Sequence, residues 1–196
     1  MAAEHGQAPP ERNPIGASRA ADEVKSLPGW EGALPSKHYS GYLDVGLSSA
    51  GVKNIHIHYW LSESERSPEN DPVVFWMNGG PGGSSLIGGL TENGPFYMDD
   101  SSFEDPSYNK TGVPKLKSRP QRWNRLANTV YVETPAMTGF SYCDHDNTTA
   151  NGDCPWNDET TAEAHYQMTL AFFDAFPSFK NRELYFTGES YAGLCE

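Results

Sequence analysis

Leu184-Tyr185-Phe186-Thr187-Gly188-Glu189-Ser190-Tyr191-Ala192-Gly193 governs how the rest of the chain is organised. An apolar run is followed by a glycine, one residue, a serine, one residue and then small residues. This is the spacing of a nucleophile elbow, where a strand turns sharply into a helix and holds a serine hydroxyl at the tip. The turn is strained and its neighbours must pack closely, which explains the small residues around the serine. The run predicts a strand over 183–187, and Ser190 becomes the candidate nucleophile. In such elbows the acid and then the histidine of a triad follow the serine in chain order. Tyr191 to Glu196 contain neither Asp nor His.

A second signal lies upstream. Asn78-Gly79-Gly80-Pro81-Gly82-Gly83-Ser84-Ser85 leaves the continuous apolar run Pro72-Val73-Val74-Phe75-Trp76-Met77, which reads as a strand covered on both faces. A phosphate cradle would need a Lys-Ser/Thr pair after the glycines, and no lysine is there. A dinucleotide loop would need G-x-G-x-x-G, which the spacing and Pro81 do not fit. A third reading is a loop whose bare backbone N–H groups bind a developing oxyanion; the fourth is an ordinary glycine-rich turn. Taken with the elbow, the loop favours the oxyanion reading.

Working outward, residues 1–20 are rich in Ala, Pro, Gly and Arg without periodicity and read as a disordered lead-in. Tyr39–Val45 and Ile55–Leu61 read as two strands. In the second, Ile55, Ile57, Tyr59 and Leu61 alternate with Asn54, His56, His58 and Trp60. His56 and His58 share the i, i+2 spacing of metal ligands, but without a third ligand they read as solvated imidazoles on the open face. Asp99–Pro120 is a polar excursion over the surface. Thr129–Glu133 reads as another buried strand. Glu159–Phe176 is the clearest helix, with Ala162, Tyr166, Phe173 and Phe176 expected on its apolar face. Asn157, Asp158 or Thr160 is its N-cap, and Pro177 its stop. The order strand, loop, strand, helix, strand predicts an α/β fold with parallel central strands and an antiparallel edge. Residues 21–196 form its single domain, in part.

Composition narrows the partners. The 196 residues carry a formal net charge of −12, with 19 Gly and 15 Pro. That balance opposes nucleic acid or an anionic membrane surface as partner. No apolar run approaches the roughly 18 residues of a membrane span, and no signal peptide is visible at the N-terminus. Asn109-Lys110-Thr111 and Asn147-Thr148-Thr149 are glycosylation sequons. Cys143 and Cys154 flank a polar loop and either form a disulfide or remain two thiols. No metal site or cofactor is expected.

Trp76-Met77-Asn78-Gly79-Gly80-Pro81-Gly82-Gly83-Ser84-Ser85 is followed by Glu92-Asn93-Gly94-Pro95. After these come Glu133-Thr134-Pro135-Ala136-Met137-Thr138-Gly139-Phe140-Ser141-Tyr142 and the elbow. In this order and spacing the four blocks resemble the serine carboxypeptidase family, which includes cathepsin A and the vacuolar carboxypeptidases. The resemblance runs from about Leu27 to Gly193 and implies the N-terminal part of an α/β-hydrolase fold. It implies Ser190 as nucleophile and the backbone N–H groups of Gly80 and Tyr191 as oxyanion hole. Asn78 and Glu189 would bind the substrate's C-terminal carboxylate, with Trp76 beside them and Glu92 as the acid paired with Glu189. An ionised Glu189 would repel a carboxylate, whereas two acids sharing a proton leave a neutral carboxyl able to donate. Activity at acidic pH follows, on peptide or protein C-termini, in a vacuolar, lysosomal or secreted setting. Acyl transfer by the same serine and a non-catalytic fragment are the alternatives. Oligomeric state is not encoded in any of these motifs.

The chain departs from the family pattern in places. Gly83 stands where the family usually has a disulfide-bonded cysteine. Glu133-Thr134 replaces the commoner Asp-Gln, and Met137 stands in place of a glycine. Leu194-Cys195-Glu196 leaves the pattern altogether. None of His5, His38, His56, His58, His145 or His165 matches the catalytic histidine. With no Asp or His after Ser190, these residues by themselves are expected to turn over little and to leave an apolar sheet edge that favours aggregation.

Overall fold

The structure, a computed structural model, describes residues 19–47, 52–144, 154 and 156–194. Its strands are β1 (Glu23–Val24), β2 (His38–Leu47), β3 (Val52–Ser62), β4 (Val73–Met77), β5 (Phe96–Tyr97), β6 (Lys117–Ser118), β7 (Asn128–Val132), β8 (Tyr142–Cys143) and β9 (Leu184–Gly188). Three α-helices are described: α1 (Ser85–Ile87), α2 (Tyr108–Thr111) and α3 (Asp158–Ala175). The main sheet runs in the order β1-β2-β3-β7-β4-β9, with β8 added to β3. β1, β2, β3 and β7 pair antiparallel, whereas β4 lies parallel to both β7 and β9. The expected parallel centre and antiparallel edge are both present.

Alternation in β2 and β3 builds one face of this sheet. Leu43 pairs with Ile57 and Val45 with Ile55, and their side chains are buried with those of Tyr59 and Leu61. Phe75, Val130 and Val132 continue this core, which α3 covers with Ala164, Met168 and Phe172. The Phe172 ring stands edge-on to Phe75 at 5.1 Å and to Tyr59 at 6.3 Å. The helix starts as its sequence dictates. The Asn157 side chain accepts from Thr160 N–H at 2.9 Å, and Thr160 Oγ1 accepts from Asn157 N–H at 3.0 Å, forming a capping box. Pro177 opens the 3-10 turn that follows.

The buried face of α3 differs from the expected one. Thr161, Ala164, His165, Met168 and Phe172 face inward, while Ala162 is exposed and Tyr166 is 63% exposed. The helix is turned one residue, about 100°, from Ala162 and Tyr166, while Phe173 packs half-buried against the core as expected. Small and polar residues pass as surface in a pattern argument, yet Thr161 and Ala164 let the helix approach the sheet, and buried His165 is satisfied by Thr134 Oγ1 at 2.9 Å. Phe176 is buried as expected.

The opposite sheet face carries Trp60, Trp76 and Tyr131 and is covered by the chain between β4 and β7. The excursion after β4 is tied together by the two-residue ladder β5–β6. Trp30 packs edge-on against Phe96 at 4.7 Å, and Trp123 against Trp76 at 5.4 Å. An apolar cavity of about 270 Å³ remains there, bordered by Trp60, Leu86, Leu90, Phe96, Leu116 and Tyr131. At the N-terminal side, the 3-10 turn Arg19–Asp22 takes up the last residues of the expected lead-in. Asp22 accepts from Arg19 at 3.0 Å and from Tyr59 OH at 2.7 Å, which anchors that turn to β3. The remainder of the lead-in lies outside the described residues, as do Asn147 and His145.

His56 and His58 are not the solvated pair that strand alternation predicts. His56 contacts Asp44 at 2.6 Å and Asp144 at 3.4 Å and stacks on Tyr142 at 4.5 Å. His58 is buried, with Nε2 2.9 Å from Ser40 Oγ and Nδ1 3.0 Å from Glu133 Oε2. β8 pairs beside β3, and the rings of Tyr142 and of Phe140 in the turn before it pack on His56 and His58, so this part of the open face is covered. Among the described residues, no group of three His, Cys, Asp or Glu side chains is arranged to hold a metal ion. No described helix is long and apolar enough to cross a membrane.

Candidate active site

Parallel pairing of β4 and β9 in the register Met77↔Gly188 brings together two segments far apart in sequence. The chain leaves β4 at Asn78 and β9 at Glu189, so both emerge at the same end of the sheet. Asn78 Nδ2 donates to Glu189 Oε1 at 2.9 Å. The orientation of the Asn78 amide is set from behind: its Oδ1 accepts from Trp76 Nε1 at 2.8 Å and from Gly88 N–H at 3.2 Å. Asn78 N–H in turn donates to Ser85 Oγ at 3.1 Å. Trp76, Asn78 and Glu189, which the family resemblance groups, are thus joined, with Ser85 and Gly88 as supports that it did not single out.

Ser190 follows with φ +55°, a left-handed conformation that few non-glycine residues adopt. Its side chain stands exposed at the start of the 3-10 turn Ser190–Leu194. The turn is held by Ala192 N–H, which donates to Glu189 O at 3.1 Å, and by Tyr191 OH, which donates to Asp158 Oδ1 at 2.5 Å. Buried Ala192 roots it in the core.

The glycine loop lies directly against this elbow. A Cβ on Gly79 would lie 2.7 Å from Glu189 O, 2.8 Å from Ser190 Cβ and 2.9 Å from Tyr191 N, so no other residue fits there unshifted. Gly80 has φ +129°, and Gly83 N–H closes the loop on Gly79 O at 2.8 Å. The Gly79 backbone therefore lies against Ser190 and the Tyr191 N–H, with Gly80 the next residue of the loop. A side chain at position 83 would bring its Cβ within 2.6 Å of Gly79 O. The cysteine usual in the family would require this loop to shift.

Ser84 follows the loop and caps α1, accepting from Leu86 N–H at 3.3 Å. Ser84 Oγ also makes a short hydrogen bond to Glu133, which is fully buried at the end of β7. Burial would raise the Glu133 pKa, but contacts from His58, Ser84 and the Phe140 N–H outweigh it and hold the carboxyl below its ordinary range. An acid directly after the apolar run of β7 was the available signal for this residue, and it passed as part of a strand. Glu92 ends the π-helical turn Gly88–Glu92, is exposed, and makes no hydrogen bond to Glu189.

The described histidines each have partners of their own. His38 is buried between Trp60, which donates to its Nδ1 at 3.1 Å, and Phe96; burial drives its pKa down to about 4. His165, bonded to Thr134 Oγ1, borders a small pocket with Asn78 and Tyr191, and His56 and His58 belong to the β2–β3 face. Cys143 and Cys154 form a disulfide with Cα atoms 6.5 Å apart. Asn109 is exposed in α2.

Comparisons with known proteins agree with this geometry. The serine carboxypeptidase family profile matches residues 28–195. The chain is 42% identical to the lysosomal protective protein of Mus musculus over 173 residues, covering 88% of this chain and 32% of that protein. It is 40% identical to serine carboxypeptidase 1 of Hordeum vulgare, covering 88% of this chain and 32% of the relative. The crystal structure of Kex1(delta)p, a prohormone-processing carboxypeptidase from Saccharomyces cerevisiae, superposes with a TM-score of 0.68 at 24% identity. That match covers 90% of this chain and 37% of Kex1(delta)p and identifies the fold as α/β-hydrolase. The chain spans about a third of the length of the curated relatives that it matches. By profile, sequence and fold, this chain belongs to the serine carboxypeptidase family.

Proposed function

We propose that Ser190 is the nucleophile of a serine-type carboxypeptidase that cleaves C-terminal peptide bonds through an acyl-enzyme. Ser190 Oγ attacks the scissile carbonyl, and the oxyanion that forms is met by the N–H groups of Gly80 and Tyr191. Collapse expels the C-terminal residue as an amine that takes up a proton, and water then hydrolyses the ester. No described histidine matches the catalytic histidine of the family, so the general base is assigned outside the described residues. Residues 1–196 alone are expected to acylate slowly, with what the oxyanion hole and binding supply.

The observation that carries this reading is the Asn78–Glu189 contact beside the strained serine. With Oδ1 occupied by Trp76 and Gly88, the Asn78 amide is oriented with its N–H groups outward: one bonds Glu189 and the other is directed to a substrate carboxylate. Glu189 can join as a donor to that carboxylate only in its acid form, which fits a preference for acidic pH. The Cys143–Cys154 disulfide and exposed Asn109 support an oxidising, lysosomal, vacuolar or secreted setting.

Two measurements test this. An N-acetyl dipeptide with a free carboxylate should shift the Asn78 side-chain amide resonances, and the same dipeptide amidated at its C-terminus should not. A fluorophosphonate probe should label Ser190 slowly, and Ser190→Ala should abolish the label. Equal response to both dipeptides removes the carboxylate clamp, and labelling elsewhere removes the nucleophile.

A further inference from the structure

We propose that Glu133 is a positioning residue that acts through Ser84 to hold the glycine loop, and with it the Gly80 N–H, against the Ser190 elbow. This rests on the reading of Gly80 as part of the oxyanion hole. It adds a group that touches neither substrate nor serine.

Three segments converge on the Glu133 carboxylate. Ser84 Oγ donates to Oε1, and Phe140 N–H donates to Oε2 at 2.7 Å. His58 Nδ1 lies 3.0 Å from Oε2 without the alignment of a hydrogen bond. Gly139, at φ +54°, passes so close that any Cβ there would overlap the carboxylate. The backbone joins in: Ser141 Oγ donates to Glu133 O at 2.5 Å and accepts from His58 N–H at 2.8 Å.

A fully buried acid is costly unless its oxygens are satisfied, and here both are. What that arrangement fixes is set by where Ser84 sits. It follows Gly83, whose N–H closes the loop, and its own carbonyl accepts from Ile87 N–H at 3.0 Å. Its side chain is therefore the point at which a flexible glycine segment is tied to the rigid end of β7. Glycines need such a tie because their backbone is free to leave the one conformation that aims Gly80 at the serine. Hydrogen bonds to a charged, buried acceptor are stronger than neutral ones, so a carboxylate serves here better than an amide.

The test uses amide hydrogen exchange on the intact 196-residue chain, with Ser84→Ala, Ser84→Thr and Glu133→Gln. Ser84→Ala and Glu133→Gln should each speed exchange at Gly83 and Ile87 about tenfold or more, with Phe75 and Val130 unchanged. Both should also move the Gly80 amide resonance. Ser84→Thr keeps the hydroxyl and should restore wild-type exchange. If Glu133→Gln unfolds the chain, the Ser84 pair decides. Unchanged exchange at Gly83 in Ser84→Ala, or equal exchange in the Ala and Thr variants, overturns the proposal. Because exchange needs no chemistry at Ser190, failed fluorophosphonate labelling would count against the nucleophile and leave this result standing.

Discussion

β4 and β9 lie side by side in parallel, carry similar apolar residues and end at the two halves of one site. Every residue of β4 is buried, whereas four of the five in β9 are exposed. Phe75 is fully buried; its neighbour Phe186, stacked on it at 5.4 Å, is 38% exposed. The difference is positional. β4 has a strand on either side, α3 on one face and the excursion with Trp123 on the other. Among the described strands β9 pairs with β4 alone, and a groove of about 610 Å³ bordered by Val74, Trp123, Leu126 and Tyr185 runs along its face. Apolar composition sets how much cover a strand requires, and the neighbours decide how much it has. The same asymmetry reaches the site. The loop after β4 is tied at Asn78, Ser84 and Ser85, while the elbow after β9 is held chiefly through Glu189, Tyr191 and Ala192.

The sharpest way to break this comparison is truncation of the two stacked phenylalanines. Phe75→Ala should cost about 3–5 kcal/mol in denaturant unfolding, and Phe186→Ala, already half in solvent, only about 1 kcal/mol. Equal losses would mean that β9 is as well covered as β4. Asn78→Ala comes next. It leaves Trp76 Nε1 and Gly88 N–H without their acceptor and should cost about 2–3 kcal/mol, together with the carboxylate response of the dipeptide assay.

The third effect depends on pH and bears on the ties of the β4 side. Glu133 is ionised more readily in the fold than in the unfolded chain. Its stabilisation is therefore complete above the unfolded glutamate value, roughly 4.3, and fades as pH falls through the lower folded value. Melting temperature should drop over that acid range. The drop should be shallower in Glu133→Gln, where the carboxylate and its pairing with His58 are gone.

The smallest effect compares two strained residues. Ser190 and Met137 are the described non-glycine residues at positive φ, +55° and +73°. Met137 is 59% exposed, and its side chain makes no hydrogen bond. Met137→Gly should raise stability by about 0.5–1 kcal/mol, since relief of left-handed strain exceeds the added chain entropy. The melting temperature measures this, and a fall would show that the Met137 side chain packs usefully.

Much of this molecule was legible because the relevant signals are local. The β2 and β3 alternation, the buried run of β4, the Asn157 cap and the elbow each depend on a few adjacent residues. The α3 face was misjudged because Thr161, Ala164 and His165 carry little hydrophobicity, although they form the packing surface. His56 and His58 were misjudged because alternation assigns residues to a face without saying what covers it. Glu133 and Ser84 stood within recognisable motifs, but their contact spans 49 positions in sequence and depends on where β7 ends beside the glycine loop.

The sequence by itself determined that a serine sits at a strained turn after a strand, and that a glycine loop leaves an earlier one. Periodicity and backbone demand are properties of neighbouring residues. That these two turns share a site was implied by the family resemblance, and only the tertiary structure gave the contacts by which they meet. The parallel register Met77↔Gly188 sets Asn78 beside Glu189 and Gly79 against Ser190, across more than a hundred residues of chain. Strand register between distant segments follows from the packing of the whole core, so no local pattern encodes it.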